Sequence, residues 1–386
     1  MRLGIYGGTF DPPHLGHLTA LKKAVAALRL DKVLVIPTAQ PPHKAEAGDM
    51  ASGEDRLAMC EICFADIPEA EVWDGEIRRG GVSWTVDTVR EVRRMYPEDE
   101  LFLLMGTDMY LIFDTWRDFR SILDAAVCGV FIRSPGEEDS VRRHAQVMLE
   151  RYGARTELIP NVPVDISSTH LREMLKTRGG REYLPDSVYG YIVHHGLFGV
   201  RADFDWMRVQ AYIMLREQRV RHVSGVEAEA VKLARRWGAD EDAAREAAIL
   251  HDVTKYLNLQ EQLNLCDKYG IILDEMERAE VKLLHSKTGA AIARADFNAS
   301  DDVFSAIMWH TTGKADMTLL EKIIYLADYV EPNRDFEGVE ELRALCYEDI
   351  DSALRKGFQM SLDDMLSRSM VPHPNSIDAL EWLKKR

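Results

Sequence analysis

Short apolar runs recur through the first half of the chain, separated by stretches in which apolar positions return every three or four residues. Leu3-Gly4-Ile5-Tyr6, Lys32 to Pro37, Leu101 to Met105 and Val127 to Ile132 read as buried strands. Leu18 to Leu28 and Thr85 to Met95 read as amphipathic helices, and another helix is predicted from about Asp55 to Asp66. Strands alternating with helices predict a parallel sheet covered on both faces, with ligands bound beyond the carboxyl ends of its strands. A Gly7-Gly8 turn and Gly106-Thr107-Asp108 fall at those ends. After about Gly199 strand-like runs largely disappear. Val223, Val226, Ala230, Leu233, Ala234 and Trp237 recur at helical spacing until Gly238 stops the run. Further helices are predicted at 241–250, 275–294, 300–310, 318–330 and 351–366. The expected fold class is α/β: a doubly wound parallel sheet over 1–199, then an all-α domain over 206–386, joined through Gly196 to Asp205.

Composition narrows the function classes. At 386 residues the chain exceeds one ordinary domain. Its 64 acidic against 48 basic residues, a net charge of −16, argue against a broad nucleic-acid surface. A local basic pocket for a phosphorylated small molecule stays compatible with that charge. No apolar run is long enough to span a bilayer, and no signal-peptide core precedes the first strand. Cys60-Glu61-Ile62-Cys63 has the spacing of a redox or zinc half-site, but it falls inside a predicted helix and no second pair completes a zinc set. These are ordinary helix residues, and the expected compartment is the cytoplasm, with reduced thiols. A homo-oligomer stays open.

Two runs in the first half carry phosphate chemistry. In Gly7-Gly8-Thr9-Phe10-Asp11-Pro12-Pro13-His14-Leu15-Gly16-His17, the glycines let backbone N–H groups approach phosphate oxygens. Histidines at i and i+3 lie on one side of a helix turn, so both can donate to one phosphate where the helix N-terminus adds positive potential. On spacing alone, a zinc pair or a polar loop remains open. Ile166-Ser167-Ser168-Thr169-His170-Leu171-Arg172 reads as a helix cap with an arginine one turn in, an anion site if it has a partner.

Together the runs resemble the His-x-Gly-His and Ile-Ser-Ser-Thr-x-x-Arg signatures of the nucleotidylyltransferase superfamily. The resemblance is closest to bacterial nicotinate-nucleotide adenylyltransferases, over roughly residues 1–199. Pro41-Pro42-His43-Lys44, Ser83-Trp84-Thr85-Val86-Asp87-Thr88, Gly106-Thr107-Asp108 and Asp114-Thr115-Trp116 support it. The resemblance implies a Rossmann-like nucleotidylyltransferase fold and transfer of AMP from ATP, with Mg²⁺, to nicotinate mononucleotide, giving deamido-NAD and pyrophosphate. It places ATP against Gly7, Gly8, Thr9, Phe10, His14, His17, Ile166, Ser167, Ser168, Thr169 and Arg172. His14, His17, Lys44 and Arg172 would stabilise charge, and Lys44, Trp84, Thr85, Asp108 and Trp116 would meet the acceptor. An aromatic face suits a flat, positively charged pyridine ring. Trp84 stands where tyrosine is more usual. Nicotinamide mononucleotide is an alternative acceptor.

In the second half, His222, His251, Asp252, His285, His310 and Asp328 lie at or near ends of predicted helices, and neutral imidazoles with carboxylates suit Fe, Mn or Zn. Arg221-His222-Val223, Ala248 to Lys255, Leu284-His285, Trp309 to Lys314 and Glu321 to Arg334 resemble HD-domain phosphohydrolases of the YqeK type, symmetrical hydrolases of diadenosine tetraphosphate. The resemblance covers roughly residues 206–386. It implies a two-metal centre, iron foremost, bridged by a catalytic Asp252, with Lys255, Lys314 and Arg334 on the phosphate chain of a dinucleoside polyphosphate. A metal- or nucleotide-binding regulatory module without turnover is the alternative reading.

Overall fold

In a computed structural model of the protein, which describes residues 1–40, 50–132, 135–160, 164 and 166–385, the apolar runs of the first half form one six-stranded sheet. Its strands are β1 (Arg2–Gly8), β2 (Lys32–Pro37), β3 (Ala70–Val72), β4 (Glu100–Gly106), β5 (Ala126–Ile132) and β6 (Thr156–Pro160). All pairings are parallel, in the order β3-β2-β1-β4-β5-β6, with Ile5 opposite both Leu34 and Leu103. The four predicted strands occupy the middle. The two unpredicted ones, β3 and β6, are the edges, each covered on one side only, and they lack the continuous apolar run that marks a strand buried on both faces. Chain order reverses between β1 and β4, which opens a crevice at their carboxyl ends.

Helices α1 (Leu15–Leu28), α2 (Gly53–Phe64), α3 (Gly75–Arg79), α4 (Thr85–Met95), α5 (Thr107–Leu111), α6 (Phe119–Ala125), α7 (Pro135–Tyr152), α8 (Ser168–Leu175) and α9 (Asp186–His194) complete this unit, which ends at Arg201. Gly7 and Gly8 are not a turn: they are the last two residues of β1, paired with Ile36 and Pro37. Cys60 and Cys63 are buried in α2, where burial pushes the Cys63 thiol up to about 12.

The unit from Ala202 to Arg386 is helical. Its helices are α10 (Phe204–Tyr212), α11 (Glu217–Trp237), α12 (Glu241–Leu250), α13 (Leu259–Tyr269), α14 (Glu275–Ala279), α15 (Val281–Phe297), α16 (Asp301–Trp309), α17 (Leu319–Val330), α18 (Val339–Glu348), α19 (Ile350–Ser367) and α20 (Pro374–Lys384). Helix α11 packs on α12 and α17, and α16 packs on α12, α15 and α17, and Val226, Ala247, Ile249, Ile307 and Ile323 on these helices are buried. The helix predicted over 275–294 is two helices. Glu280 is extended and its carboxylate accepts from the Lys282 N–H, so capping chemistry restarts the chain without any glycine or proline to announce it. No described helix is long and apolar enough to cross a membrane.

Candidate active sites

His14 is the N-cap of α1 rather than a residue within it. Its Nδ1 accepts the Gly16 N–H at 3.1 Å, while Nδ1 of His17 accepts the His14 N–H at 3.2 Å, a reciprocal capping box made of imidazoles. An Nδ1 that accepts carries no proton, so each neutral ring must hold its proton on Nε2 and offer a donor from there. The rings lie 3.8 Å apart, and both line a cavity of about 970 Å³ at the carboxyl ends of β1 and β4. Burial pushes His14 down to about 4, so it is neutral near pH 7. A Cβ on Gly16 would stand 2.9 Å from the His14 ring, which accounts for the glycine between the histidines. A Cβ on Gly8 would meet the Phe10 ring at 2.9 Å, whereas one on Gly7 would enter open space. Gly8 therefore serves packing, and Gly7 leaves backbone accessible.

Ile166, Ser167 and Ser168 line the same cavity where α8 begins, and Ser167 caps α8 by accepting from the His170 N–H. Ser168 Oγ donates to the Pro12 carbonyl, and Arg172 donates to the carbonyl and carboxylate of Asp11 at 2.7 and 3.2 Å. Arg172 thus ties α8 to the loop before His14 instead of standing on the cavity wall. Thr169 is exposed beside it and is not on that wall either. Trp84, Thr85, Asp108 and Trp116 share the wall with Gly7, Gly8, Thr9 and Phe10. Helix α4 starts at Thr85 with no side-chain cap, and the Asp87 and Thr88 N–H groups donate to the Trp84 carbonyl. Lys44 lies outside the described residues.

The second centre gathers around Asp252, which is fully buried. Its Oδ2 is 3.3 Å from Nε2 of His251 and 3.9 Å from Nε2 of His222, and its Oδ1 is 3.2 and 3.8 Å from Nε2 of His285 and His310. Asp328 Oδ1 lies 3.0 Å from Nε2 of His222. One carboxylate therefore divides the donors into two sets. His251, His285 and His310 each direct Nδ1 at the carbonyl three residues back, at 2.7 Å. His222, in the second turn of α11 and not at a helix end, instead turns Nδ1 to Glu331 Oε1 at 3.1 Å. These contacts fix all four rings with Nε2 facing inward.

Among the described residues, Nε2 of His222, Nε2 of His251 and Oδ1 of Asp252 are buried without a directed hydrogen bond, and Nε2 of His285 and His310 abut at 3.1 Å. Acceptors facing acceptors in a buried centre fit divalent cations, and neutral nitrogens with carboxylates fit Fe, Mn or Zn. Three cations surround the set. Arg219 reaches Asp252, Lys255 lies 2.9 Å from Nε2 of His285, and Arg334 lies 2.9 Å from Asp328. Lys314 stands further out, paired with Glu321 at 2.9 Å. Asp274, Glu277 and His373 form another cluster, but Lys287 occupies Glu277 at 2.6 Å, and His373, the α20 N-cap, joins Asp274.

Residues 5–174 match the cytidylyltransferase-like family, and residues 219–333 match the HD domain. A probable nicotinate-nucleotide adenylyltransferase of Gemmatimonas aurantiaca is 39% identical over 202 residues, 51% of this chain and 92% of that one. Another from Thermus thermophilus is 39% identical over 204 residues, 51% of this chain and all of its own length. The chain belongs to the nicotinate-nucleotide adenylyltransferase family. Unlike a family member that ends with the α/β unit, it continues into an HD domain. A crystal structure from Clostridium acetobutylicum, described as a predicted HD superfamily hydrolase involved in NAD metabolism, is 36% identical over 48% of this chain and 98% of that one, with a TM-score of 0.47.

Across the two candidate sites, four side chains were given no role from the sequence. Arg56 is buried and donates to the carbonyls of Thr9, Thr38, Ala39 and Ala51, clamping segments around the cavity. Arg219 and Glu331 serve the HD centre, and Glu76 stands on the cavity wall. Arg219 lies one helical turn before His222, a spacing that marks it in retrospect. Arg56 and Glu76 carry no such local signal.

Proposed function

We propose that the protein is a cytoplasmic bifunctional enzyme of NAD biosynthesis, whose N-terminal unit transfers the adenylyl group of Mg²⁺-ATP to nicotinate mononucleotide. The observation that carries this is a pair of imidazoles held as Nε2–H donors at a helix N-terminus, on a cavity wall that also bears two indoles. A phosphate oxygen of the mononucleotide attacks the α-phosphorus in line and forms the new P–O bond. The bond to the β-phosphate breaks, and its electron pair leaves on pyrophosphate. The nucleophile arrives ionised, so no side-chain base is required. His14 and His17 meet the developing charge, with Lys44 and Arg172 adding positive potential. Gly7, the loop Thr9-Phe10 and the start of α8 enclose the triphosphate. Trp84, Thr85, Asp108 and Trp116 face the acceptor.

The HD unit hydrolyses a nucleotide phosphate chain, with diadenosine tetraphosphate split into two ADP as the leading substrate. Two divalent metals, iron foremost, supply Lewis acidity at phosphorus when bound. His222, His251, Asp252, His285, His310 and Asp328 would hold them, while Lys255, Arg334 and the outlying Lys314 would bind phosphate oxygens.

Hydrolysis of diadenosine tetraphosphate and synthesis of deamido-NAD, followed in the same preparations with Mn²⁺ or Fe²⁺ supplied, test both halves. ADP formed by the wild type and lost in Asp252→Ala, with deamido-NAD synthesis retained, is the expected result. Bound metal with no turnover of the dinucleotide reassigns the HD unit to nucleotide sensing. Absence of deamido-NAD overturns the first assignment.

A further inference from the structure

Arg117 follows Trp116 on the wall of the N-terminal cavity, and its guanidinium lies over the Trp84 ring, 5.0 Å from the centroid. It is exposed, and among the described residues it makes no ion pair or hydrogen bond. The adjacent carboxylate, Asp118, is already held by Arg90 and Ser121. Arg117 is thus a cation at the cavity with an aromatic face as its sole described partner. Glu76 is its counterpart. It is buried on the same wall, its Oε1 accepts the Thr88 hydroxyl at 2.5 Å, and its Oε2 has no partner among the described residues. Arg79 is engaged by Glu91 and Thr88.

We propose that Arg117 selects an acceptor whose pyridine ring bears a carboxylate over one that bears a neutral amide. This rests on the reading of the cavity as a pyridine-mononucleotide site. A ring carboxylate accepts two parallel N–H bonds from a guanidinium, whereas an amide offers one oxygen and turns its own N–H₂ towards a donor. Stacking on an indole, the strongest aromatic partner for a cation, holds the planar fork in place before the substrate arrives. That gives the tryptophan at position 84 a purpose that a smaller ring serves less well. Glu76, an acidic group on the same wall, does not itself favour a carboxylate, so the preference rests on Arg117.

The test is the kcat/KM of the full-length protein for nicotinate and nicotinamide mononucleotides, in wild type, Arg117→Gln and Arg117→Lys. Arg117 is exposed, so neither change removes a core contact. Arg117→Gln is expected to lower kcat/KM for the nicotinate substrate by about 10-fold or more, mainly through KM, with the nicotinamide substrate within about 2-fold of wild type. Arg117→Lys is expected to restore part of the difference, since it keeps the charge and loses the fork. An unchanged preference in Arg117→Gln, or an equal fall for both substrates, overturns the inference while the adenylyltransferase reading stands. A wild type that adenylylates neither mononucleotide removes that reading and this inference together.

Discussion

His14 and His17 share one motif but do unlike work. His14 caps α1 and is buried, while His17, the third residue of the first turn, closes the box and meets Phe10 edge to face with centroids 5.1 Å apart. The sequence showed that both rings are close. It did not show that the capping bonds choose their tautomers, because that follows from which backbone N–H each ring reaches. Burial has a consequence for stability. The unfolded chain binds a proton at His14 near pH 6.5, whereas the folded chain binds it only near 4. Protons therefore favour unfolding across that window: the contribution is neutral above about pH 6.5 and costs up to about 3 kcal/mol as the pH falls to 4. Thermal midpoints of wild type and His14→Gln, measured from pH 7.5 to 4, should diverge, with the wild type falling more steeply. Parallel curves would show that His14 keeps an ordinary pKa in the folded chain.

At the scale of elements, helix ends and helix contacts place the chemistry. The cap of α1 supplies the histidine pair, the cap of α8 supplies Ser167 and Ser168, and the break at Glu280 starts α15 so that His285 falls in its second turn. The cap of α8 was legible because Ser167, Ser168 and Thr169 mark it locally, whereas the imidazole cap of α1 was not. The break at Glu280 was not, since its surroundings keep helical periodicity. Gly225 shows a contact that only packing creates. A Cβ there would lie 2.3 Å from Glu331 Oε2, the carboxylate whose other oxygen meets His222. Replacing a helical glycine by alanine ordinarily stabilises a helix by about 1 kcal/mol. Gly225→Ala is expected to do the reverse at this site, displacing Glu331 and lowering metal affinity by about 10-fold or more, as loss of an orienting carboxylate does. Metal retained after dialysis against graded chelator measures it, with Glu331→Gln as the companion. Affinity unchanged in both variants would show that His222 needs no carboxylate to hold its orientation.

For the whole molecule, two units with separate cores predict two unfolding transitions. Met1–Arg201 is built on the parallel sheet and Ala202–Arg386 on the packed helices, and each carries one of the candidate sites. In calorimetry of the full chain, EDTA should lower one midpoint, and ATP should raise the other. At about a hundred times its dissociation constant, ATP adds about 2.7 kcal/mol to the unit that binds it. One transition that moves with both ligands would show that the units unfold as one.

Apolar period and local chemistry settled the alternation of central strands and helices, the change of class after about Gly199, and the residue types of both sites. These properties depend on neighbours within a few positions, where side-chain period and capping preference act. Tertiary structure alone decided the rest. Asp252 meets His222, His285 and His310 across 30 to 58 residues of chain, and Glu331 reaches His222 across 109. The edge strands β3 and β6 pair because a neighbour is present, not because their own residues demand it. Arg56, Glu76 and Arg117 acquire their surroundings in the same way, from packing between segments that the chain alone does not bring together.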